Sequence, residues 1–327
     1  MIRTTHAHLH TAAVTHPGMA GKQNEDRLAV SSYQVGENDS TGSVFAIVSD
    51  GIGGHRAGEV AAEIAVETIS HMVAQSDARR PLETLDNAIQ VTSDAIAAKA
   101  KDDTQRLGMG TTCVCAWVIG NRLFTASVGD SRIYLLRNGR IMQLTVDHTW
   151  VQEAMDRGIL RPQEVRSHPN VHVIRRYLGS SKTPQPDLRL RLAKDESDTQ
   201  SRSHQGLQLL PGDLLLLCSD GLTDMVENGE IEPVVRGLEI QAAAQALVDL
   251  ACARAGQDNI TVVMMLVPWQ ELPVAPGKKT NQQVRKFWLW ALWGLVGLAL
   301  LAILIAGLTW AVFHFVLPPV STPVPAP

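Results

Sequence analysis

The chain has 327 residues with 29 Lys and Arg against 33 Asp and Glu, a formal charge of -4. That balance lacks the broad cationic excess that nonspecific nucleic-acid binding needs, so no nucleic-acid partner is expected. The length allows one large two-layer domain of about 270 residues ahead of a long apolar run near the C-terminus. The four cysteines, Cys113, Cys115, Cys218 and Cys252, form no metal-ligand pairs, and three lie in apolar stretches, as reduced core thiols do.

Residues 1–13 are expected as a flexible N-terminus. They carry Arg3 and three histidines but no apolar segment of the kind that makes a secretory signal. Leu28 to Tyr33 and Val44 to Ser49 read as strands around a turn-rich 36–42 segment. Gly58 to Gln75 has helical apolar spacing, and Pro81 opens a second helix carrying Leu82, Leu85, Ile89 and Ile96. The period then changes. Thr111 to Ile119, Arg122 to Val128, Ser131 to Arg137 and Arg140 to Leu144 predict antiparallel strands, with Asn138-Gly139 suited to a type I′ turn.

Thr149 to Gly158 predicts a short helix, followed by a polar surface excursion. Residues 193–205 carry no apolar period and read as a long loop. Leu214 to Cys218 predicts a strand, Glu239 to Ala255 a helix, and Ile260 to Val267 a last strand, so the domain spans 14–267. A basic linker is expected over 268–286.

Phe287 to Leu317 is a 31-residue stretch without Asp, Glu, Lys or Arg. It allows about 46 Å of helix and predicts one transmembrane span, with tryptophans near both ends. Lys278, Lys279, Arg285 and Lys286 precede it, and an uncharged Pro-rich tail, 318–327, follows. The positive-inside bias then orients residues 1–286 to the cytoplasmic side of the inner membrane.

Acids recur at the boundaries of the apolar segments: Asp26, Asp50 before Gly51-Ile52-Gly53-Gly54, Asp130 after Gly129, Asp220 before Gly221, and Asp258. A carboxylate at a strand end reaches solvent from a fixed origin, and glycine lets backbone approach an ion. Any one such Asp is commonplace as a helix cap or turn residue. Several together suit a hard oxygen-seeking cation, Mg2+ or Mn2+, better than zinc.

The ordered set Asn24-Glu25-Asp26-Arg27, Asp50-Gly51-Ile52-Gly53-Gly54-His55, Gly108-Met109-Gly110-Thr111-Thr112, Val128-Gly129-Asp130-Ser131-Arg132, Ser219-Asp220-Gly221 and Asp258-Asn259-Ile260-Thr261 resembles the bacterial PP2C-like metal-dependent serine/threonine protein phosphatases. The resemblance implies an α+β fold, an αββα sandwich of two antiparallel sheets flanked by helices. It implies Mn2+ or Mg2+ as cofactor, with two tightly bound ions and a weaker third. Asp50 would bridge the pair, the Gly51 carbonyl would help hold one ion, and Asp220 and Asp258 would complete the other. Asp26 would act through metal-bound water, Asp130 would be an accessory ligand of the third ion, and Glu25 would support ordered water.

Two departures from the family pattern bear on mechanism. The phosphate-binding Arg expected three residues before Asn24 is Gly21, leaving Lys22 as the candidate phosphate contact, which lacks the Arg fork. Ile52 stands where many eukaryotic relatives have a His, so metal-bound water is the expected proton source for the leaving group. His55 and His148 are assigned noncatalytic roles. The segments Leu144 to His148, His168 to Asn170 and Ile174 to Gly179 resemble the frame of a substrate-facing flap.

The expected function is hydrolysis of phosphoserine and phosphothreonine in cytoplasmic proteins by a metal-activated water. The alternatives are a phosphatase of a phosphorylated sigma-factor regulator and a weakly active, membrane-held phosphoprotein-binding module. The expected partners are phosphorylated proteins, among them a membrane-associated Ser/Thr kinase or its substrates, and membrane lipid.

Overall fold

The computed structural model describes residues 1–53 and 57–269. The chain divides into two units, Met1–Ala275 and Pro276–Pro327, and the described residues all fall in the first. Among them no helix is long and apolar enough to cross a membrane. The expected spanning helix over 287–317, the tail over 318–327 and all but the first two residues of the 268–286 linker lie outside the described residues, as does His55.

The elements run β1 Ile2–Arg3, β2 His10–His16, β3 Arg27–Gly36, β4 Asp39–Ser49, β5 Gly51–Ile52, α1 Ala57–Gln75, α2 Pro81–Lys101, β6 Gly110–Thr111, β7 Cys113–Ile119, β8 Arg122–Val128, β9 Arg132–Arg137 and β10 Arg140–Gln143. They continue as α3 Trp150–Asp156, α4 Asp198–Ser203, β11 Leu207–Gln208, β12 Leu214–Cys218, α5 Asp220–Thr223, α6 Asn228–Val235, α7 Ile240–Ala253 and β13 Ile260–Leu266. One sheet has the order β1-β3-β4-β7-β8-β11 and the other β10-β9-β12-β13-β2; every pairing is antiparallel.

Side-chain alternation along the central strands builds three apolar layers. In β4 and β7, Val44, Ala46, Val48, Val114, Ala116 and Val118 point into the space between the sheets, where they meet Leu215, Leu217, Val263 and Met265. The intervening Phe45, Ile47, Cys115 and Trp117 face α1 and α2. On the other side, Leu216, Cys218, Val262 and Met264 face α6 and α7. Strands buried on both faces read as continuous apolar runs, which is why β12 is Leu-Leu-Leu-Leu-Cys. The result is the expected α+β arrangement of two antiparallel sheets flanked by helices. The cysteines are free thiols, three of them buried.

Three segments differ from the sequence-based expectation. Residues 1–13, expected as flexible, hold β1 and the first part of β2. The seven residues of β2 pair with β13 from Ile260↔His16 to Leu266↔His10, and the Met1 amine donates to Ala74 O and Ser76 O at the end of α1. The polar sequence of β2 suits an edge position with only one face on the core, so its apolar signal is weak. The expected 193–205 loop contains α4, stabilised by a reciprocal Ser197–Gln200 capping box. The third is the short helix α6, which lies between the expected strand 214–218 and helix 239–255 and carries Pro233 in its interior.

Candidate metal centre

At one end of the sandwich, strand ends and tight turns from both sheets converge. Asp50 leaves β4, and its backbone is clamped by the Thr111-Thr112 pair. Thr112 N and Thr111 Oγ1 donate to Asp50 O at 2.8 and 2.7 Å, while Asp50 N donates to Thr112 Oγ1 at 3.0 Å. Thr112 Oγ1 in turn shares a hydrogen bond with Ser131 Oγ, joining the Asp50 turn to the Asp130 turn. Two glycines are dictated by close approach. A Cβ on Gly51 would lie 2.4 Å from Gly58 backbone, and one on Gly221 would lie 2.1 Å from Asn259 O.

Asp26 is 2% exposed, and its Oδ2 accepts from Ser219 Oγ at 2.7 Å. The same Ser219 Oγ accepts from Thr261 N at 3.0 Å, so residues 26, 219 and 261 are held as one unit. Asn259 ties in the loop before β3: its Oδ1 accepts from Glu25 N at 2.7 Å, and its Nδ2 donates to Pro17 O and Gln23 O. Glu25 is half-buried, with its carboxylate against Gly58 in the first turn of α1.

A cleft of ≈ 1000 Å³ opens over these turns, lined by Lys22, Asp130, Asp220, Asp224, Asp258 and His172 among others. Asp26 Oδ1, Asp130 Oδ1 and Asp220 Oδ1 are buried without a hydrogen-bond partner. A buried carboxylate oxygen with no donor is costly, and three of them in one neighbourhood is the arrangement a cation satisfies. Asp258 is exposed, its Oδ1 accepting from Asn259 N at 2.9 Å.

The electrostatics express the same crowding. Burial raises the Asp50 carboxyl well above its ordinary range, reinforced by Asp220, Asp26 and Asp130, and it lies within hydrogen-bond reach of Asp220. Asp220 is raised by burial and then by Asp130, Asp224 and Asp258. Burial pushes Asp26 up to about 6, against hydrogen bonds from Thr261 and Ser219 that lower it. Asp130 is pushed up to about 7 by burial and by Asp147. Such coupled carboxyls titrate as a group. The residues therefore fit a divalent cation: all-oxygen, anionic, fixed by backbone and short of positive charge.

The cationic side chains of the cleft are less available. Arg132 is committed to Asp147, with Nε and Nη2 bonds of 2.6–3.0 Å, and Arg166 donates to the Thr223 and Asp224 carbonyls. Lys22 is exposed and, among the described residues, is a cleft cation without an ion-pair partner. His148 faces inward: its Nδ1 accepts from Gly129 N at 3.0 Å and its Nε2 lies 3.3 Å from Asp187 Oδ2, so it braces the turn carrying Asp130.

Comparison with known proteins identifies the fold's lineage. The protein phosphatase 2C family model matches residues 19–251. The chain belongs to that family. It is 34% identical over 256 residues to the serine/threonine protein phosphatase PstP of Mycobacterium tuberculosis, covering 78% of this chain and 44% of that protein. It is 35% identical over 241 residues to the serine/threonine phosphatase stp of Listeria innocua, covering 70% of this chain and 89% of that one. The crystal structure of the PstP catalytic domain in complex with two manganese ions superimposes with a TM-score of 0.65 at 32% identity, over 79% of this chain and 97% of that one. The chain thus spans less than half the length of the tuberculosis relative. Its PP2C domain is a catalytic domain for metal-dependent hydrolysis of phosphoserine and phosphothreonine, with a divalent-metal cofactor.

Two cleft residues escaped the sequence reading. His172, Asp220 and Asp224 each place a ligand atom within 4.8 Å of the others. Asp224 was legible as an acid four residues after Asp220, just past the end of α5, but His172 arrives from the loop that follows α3 and carries no local signal.

Proposed function

We propose that the whole chain is a phosphoprotein phosphatase that removes phosphate from serine and threonine side chains of cytoplasmic proteins while held at the inner membrane. The observation that carries the reading is the gathering of Asp26, Asp130 and Asp220, each with a buried, unpartnered oxygen, around Asp50, with Asp130 and Asp220 lining an open cleft. In this reading Asp50, the Gly51 carbonyl, Asp220 and Asp258 hold two divalent cations, Mn2+ or Mg2+. Asp26 orients water beside them, and Asp130 serves a weaker third ion. When bound, the cations supply an activated water and neutralise the phosphate oxygens.

The chain's own groups do the rest. Thr111 and Thr112 fix the Asp50 backbone, and Ser219 aims Asp26. The phosphorus–oxygen bond to the substrate side chain breaks as water adds to phosphorus, and the departing alkoxide takes up a proton. Lys22 meets the phosphate as a point charge from the cleft rim. Glu25, against the first turn of α1, supports the loop that carries Asp26. The alternative substrate, a phosphorylated sigma-factor regulator, uses the same bond chemistry and differs only in the protein presented.

Phosphate release from phosphoserine and phosphothreonine peptides, measured with Mn2+, with Mg2+ and with chelator, tests the activity; release indifferent to chelation rejects it. Fractionation with protease protection tests the location. The catalytic segment should be cleaved in inside-out vesicles and protected in spheroplasts, and a chain shortened at 269 should turn over free peptide from the soluble fraction. Comparing phosphoproteomes of cells carrying the active and the Asp50→Asn forms tests the partner class; unchanged phosphorylation of membrane kinase substrates rejects it.

A further inference from the structure

The metal-binding turns occupy one end of the sandwich, and β13 runs to the other. It pairs with β12 from Cys218↔Val262 beside the cleft to Leu214↔Leu266 at the far end, and β9 runs alongside from Arg132 to Leu136. At a rise of about 3.3 Å per residue, the turn that precedes β12 lies roughly 20–25 Å from Asp220. Trp269, the last described residue, follows β13 at this far end.

Trp269 is 80% exposed, an unusual setting for an indole. Its ring nonetheless has a seat. A Cβ on Gly212 would lie 2.5 Å from the ring, so this glycine, at φ +85°, lets the indole rest on the 210–213 turn. The turn is braced from both sides. Gly212 N donates to Val267 O at 3.0 Å, Val267 N to Asp213 O at 2.9 Å, and Leu210 N to Asp213 Oδ2 at 2.7 Å. Leu210, in the same turn, is 42% exposed.

Basic side chains flank this turn. Gln208 of β11 pairs with Arg122 of β8, and its carbonyl accepts from Arg137 Nη2 at 2.9 Å; Arg137 in turn pairs with Arg140 across the β9–β10 turn. Arg122 and Arg140 are exposed and, among the described residues, have no ion-pair partner. Asp213 and Glu232, acids at the same end, are already bound to Arg137 and Arg236.

We infer that this end of the domain, with Trp269 and Leu210 at its centre and Arg122 and Arg140 at its rim, docks on the headgroup layer of an anionic membrane and leaves the metal cleft facing away from the lipid. The inference rests on the membrane reading given above.

Connectivity and chemistry favour that occupant. Residues 270–286 carry Lys278, Lys279, Arg285 and Lys286 and lead to the apolar stretch that begins at Phe287. A fully extended chain of that length reaches about 60 Å, so a tether alone fixes neither the height nor the orientation of the domain. A surface patch does. Indole rings settle at the headgroup level, where apolar body and polar N–H are both satisfied, and arginines are drawn to anionic lipid. Two apolar side chains and two arginines fall short of the about 1,200 Å² that a stable protein–protein interface buries. They suffice against a surface to which the chain is tethered, because the contact is then intramolecular. The consequence is a filter on substrates: phosphorylated segments that stand off the bilayer meet the cleft, and segments lying on the lipid do not.

Hydrogen exchange read by mass spectrometry tests this on the full chain, held one per nanodisc in phosphatidylcholine alone or mixed with phosphatidylglycerol. Peptides covering 207–214 and 136–142 should exchange more slowly on the anionic discs, while those covering 219–227 exchange alike on both. Trp269→Ala should remove most of the slowing, as should Arg122→Gln combined with Arg140→Gln. A basic side chain near an anionic leaflet contributes about fivefold to partitioning, so the double change should lower the ratio of docked to undocked chains on the order of 25-fold. All three side chains are exposed, so the melting temperature should stay unchanged. A chain that enters the discs but exchanges alike on both lipids overturns the inference and leaves the membrane reading standing. So does slowing that survives the double substitution, that falls on 219–227 instead, or that appears only when two chains share a disc. A chain that stays soluble without detergent and enters no disc overturns both.

Discussion

Buried aspartates occur in two settings in this protein, and the contrast explains the site. Away from the cleft they are fully paired. Asp213, 1% exposed, accepts from Arg137 Nε and Nη2 at 2.8 and 2.5 Å and from Leu210 N at 2.7 Å. Asp187, 5% exposed, accepts from Arg189 and lies beside His148, and despite its burial those hydrogen bonds hold its carboxyl well below the usual range. At the cleft, Asp26 and Asp130 are buried and Asp220 is half-buried, and each keeps a buried oxygen with no donor. Among the described residues, the deeply buried aspartates away from the cleft are thus paired, while those at the cleft crowd like charges together at an electrostatic cost.

Substituting within each set separates function from stability. Asp50→Asn or Asp220→Asn should lower metal-dependent phosphopeptide hydrolysis on the order of 100-fold or more. The metal-free melting temperature should be unchanged or raised, because each change removes one member of a like-charged group. Steady-state kinetics beside calorimetry checks both halves, and a large loss of metal-free stability would count against the strained-cleft view. Asp213→Ala should do the reverse. It leaves Arg137 without its carboxylate partner, with only the Nη2 bond to Gln208 O remaining, destabilising by about 1–3 kcal/mol in urea unfolding. Turnover by the remaining folded protein should be near normal.

The contrast also has a pH signature. Burial pushes the Asp26 and Asp130 carboxyls up to about 6 and about 7, above the ordinary 3.8 of the unfolded chain. Between those limits the folded state binds more protons than the unfolded one, so metal-free stability should fall as pH rises from about 4 through 7. Cations need these carboxyls ionised, so the Mn2+-induced rise in melting temperature should grow over the same interval. Thermal scans with Mn2+ and with chelator across pH 4–8 check the opposed slopes. The smallest effect is expected at the rim: Lys22→Ala should raise KM for a phosphopeptide about two- to fivefold with kcat nearly unchanged, as for loss of one exposed charge contact.

Much of this was legible along the chain, for identifiable reasons. The central strands are buried on both faces, so β4, β7, β12 and β13 appear as apolar runs bounded by turn residues. Asp50, Asp220 and Asp258 stand out because each bounds such a run, at β4, β12 and β13. By contrast, β2 depends on its long-range pairing with β13, on which local patterning is silent, and α4 has no apolar face and is marked along the chain only by its Ser197–Gln200 cap.

By itself the sequence determined the periodicities that make two sheets and their flanking helices, and the ordered Asp and Gly turns by which the family is known. Those are local properties, set by alternation along strands and by the conformational freedom of glycine. Only the tertiary structure decided which acids lack partners, that Arg132 is already bound to Asp147, and that His172 meets Asp224 across some fifty residues of chain. Hydrogen-bond satisfaction is a property of neighbours in space, and those neighbours come from segments that share no local pattern.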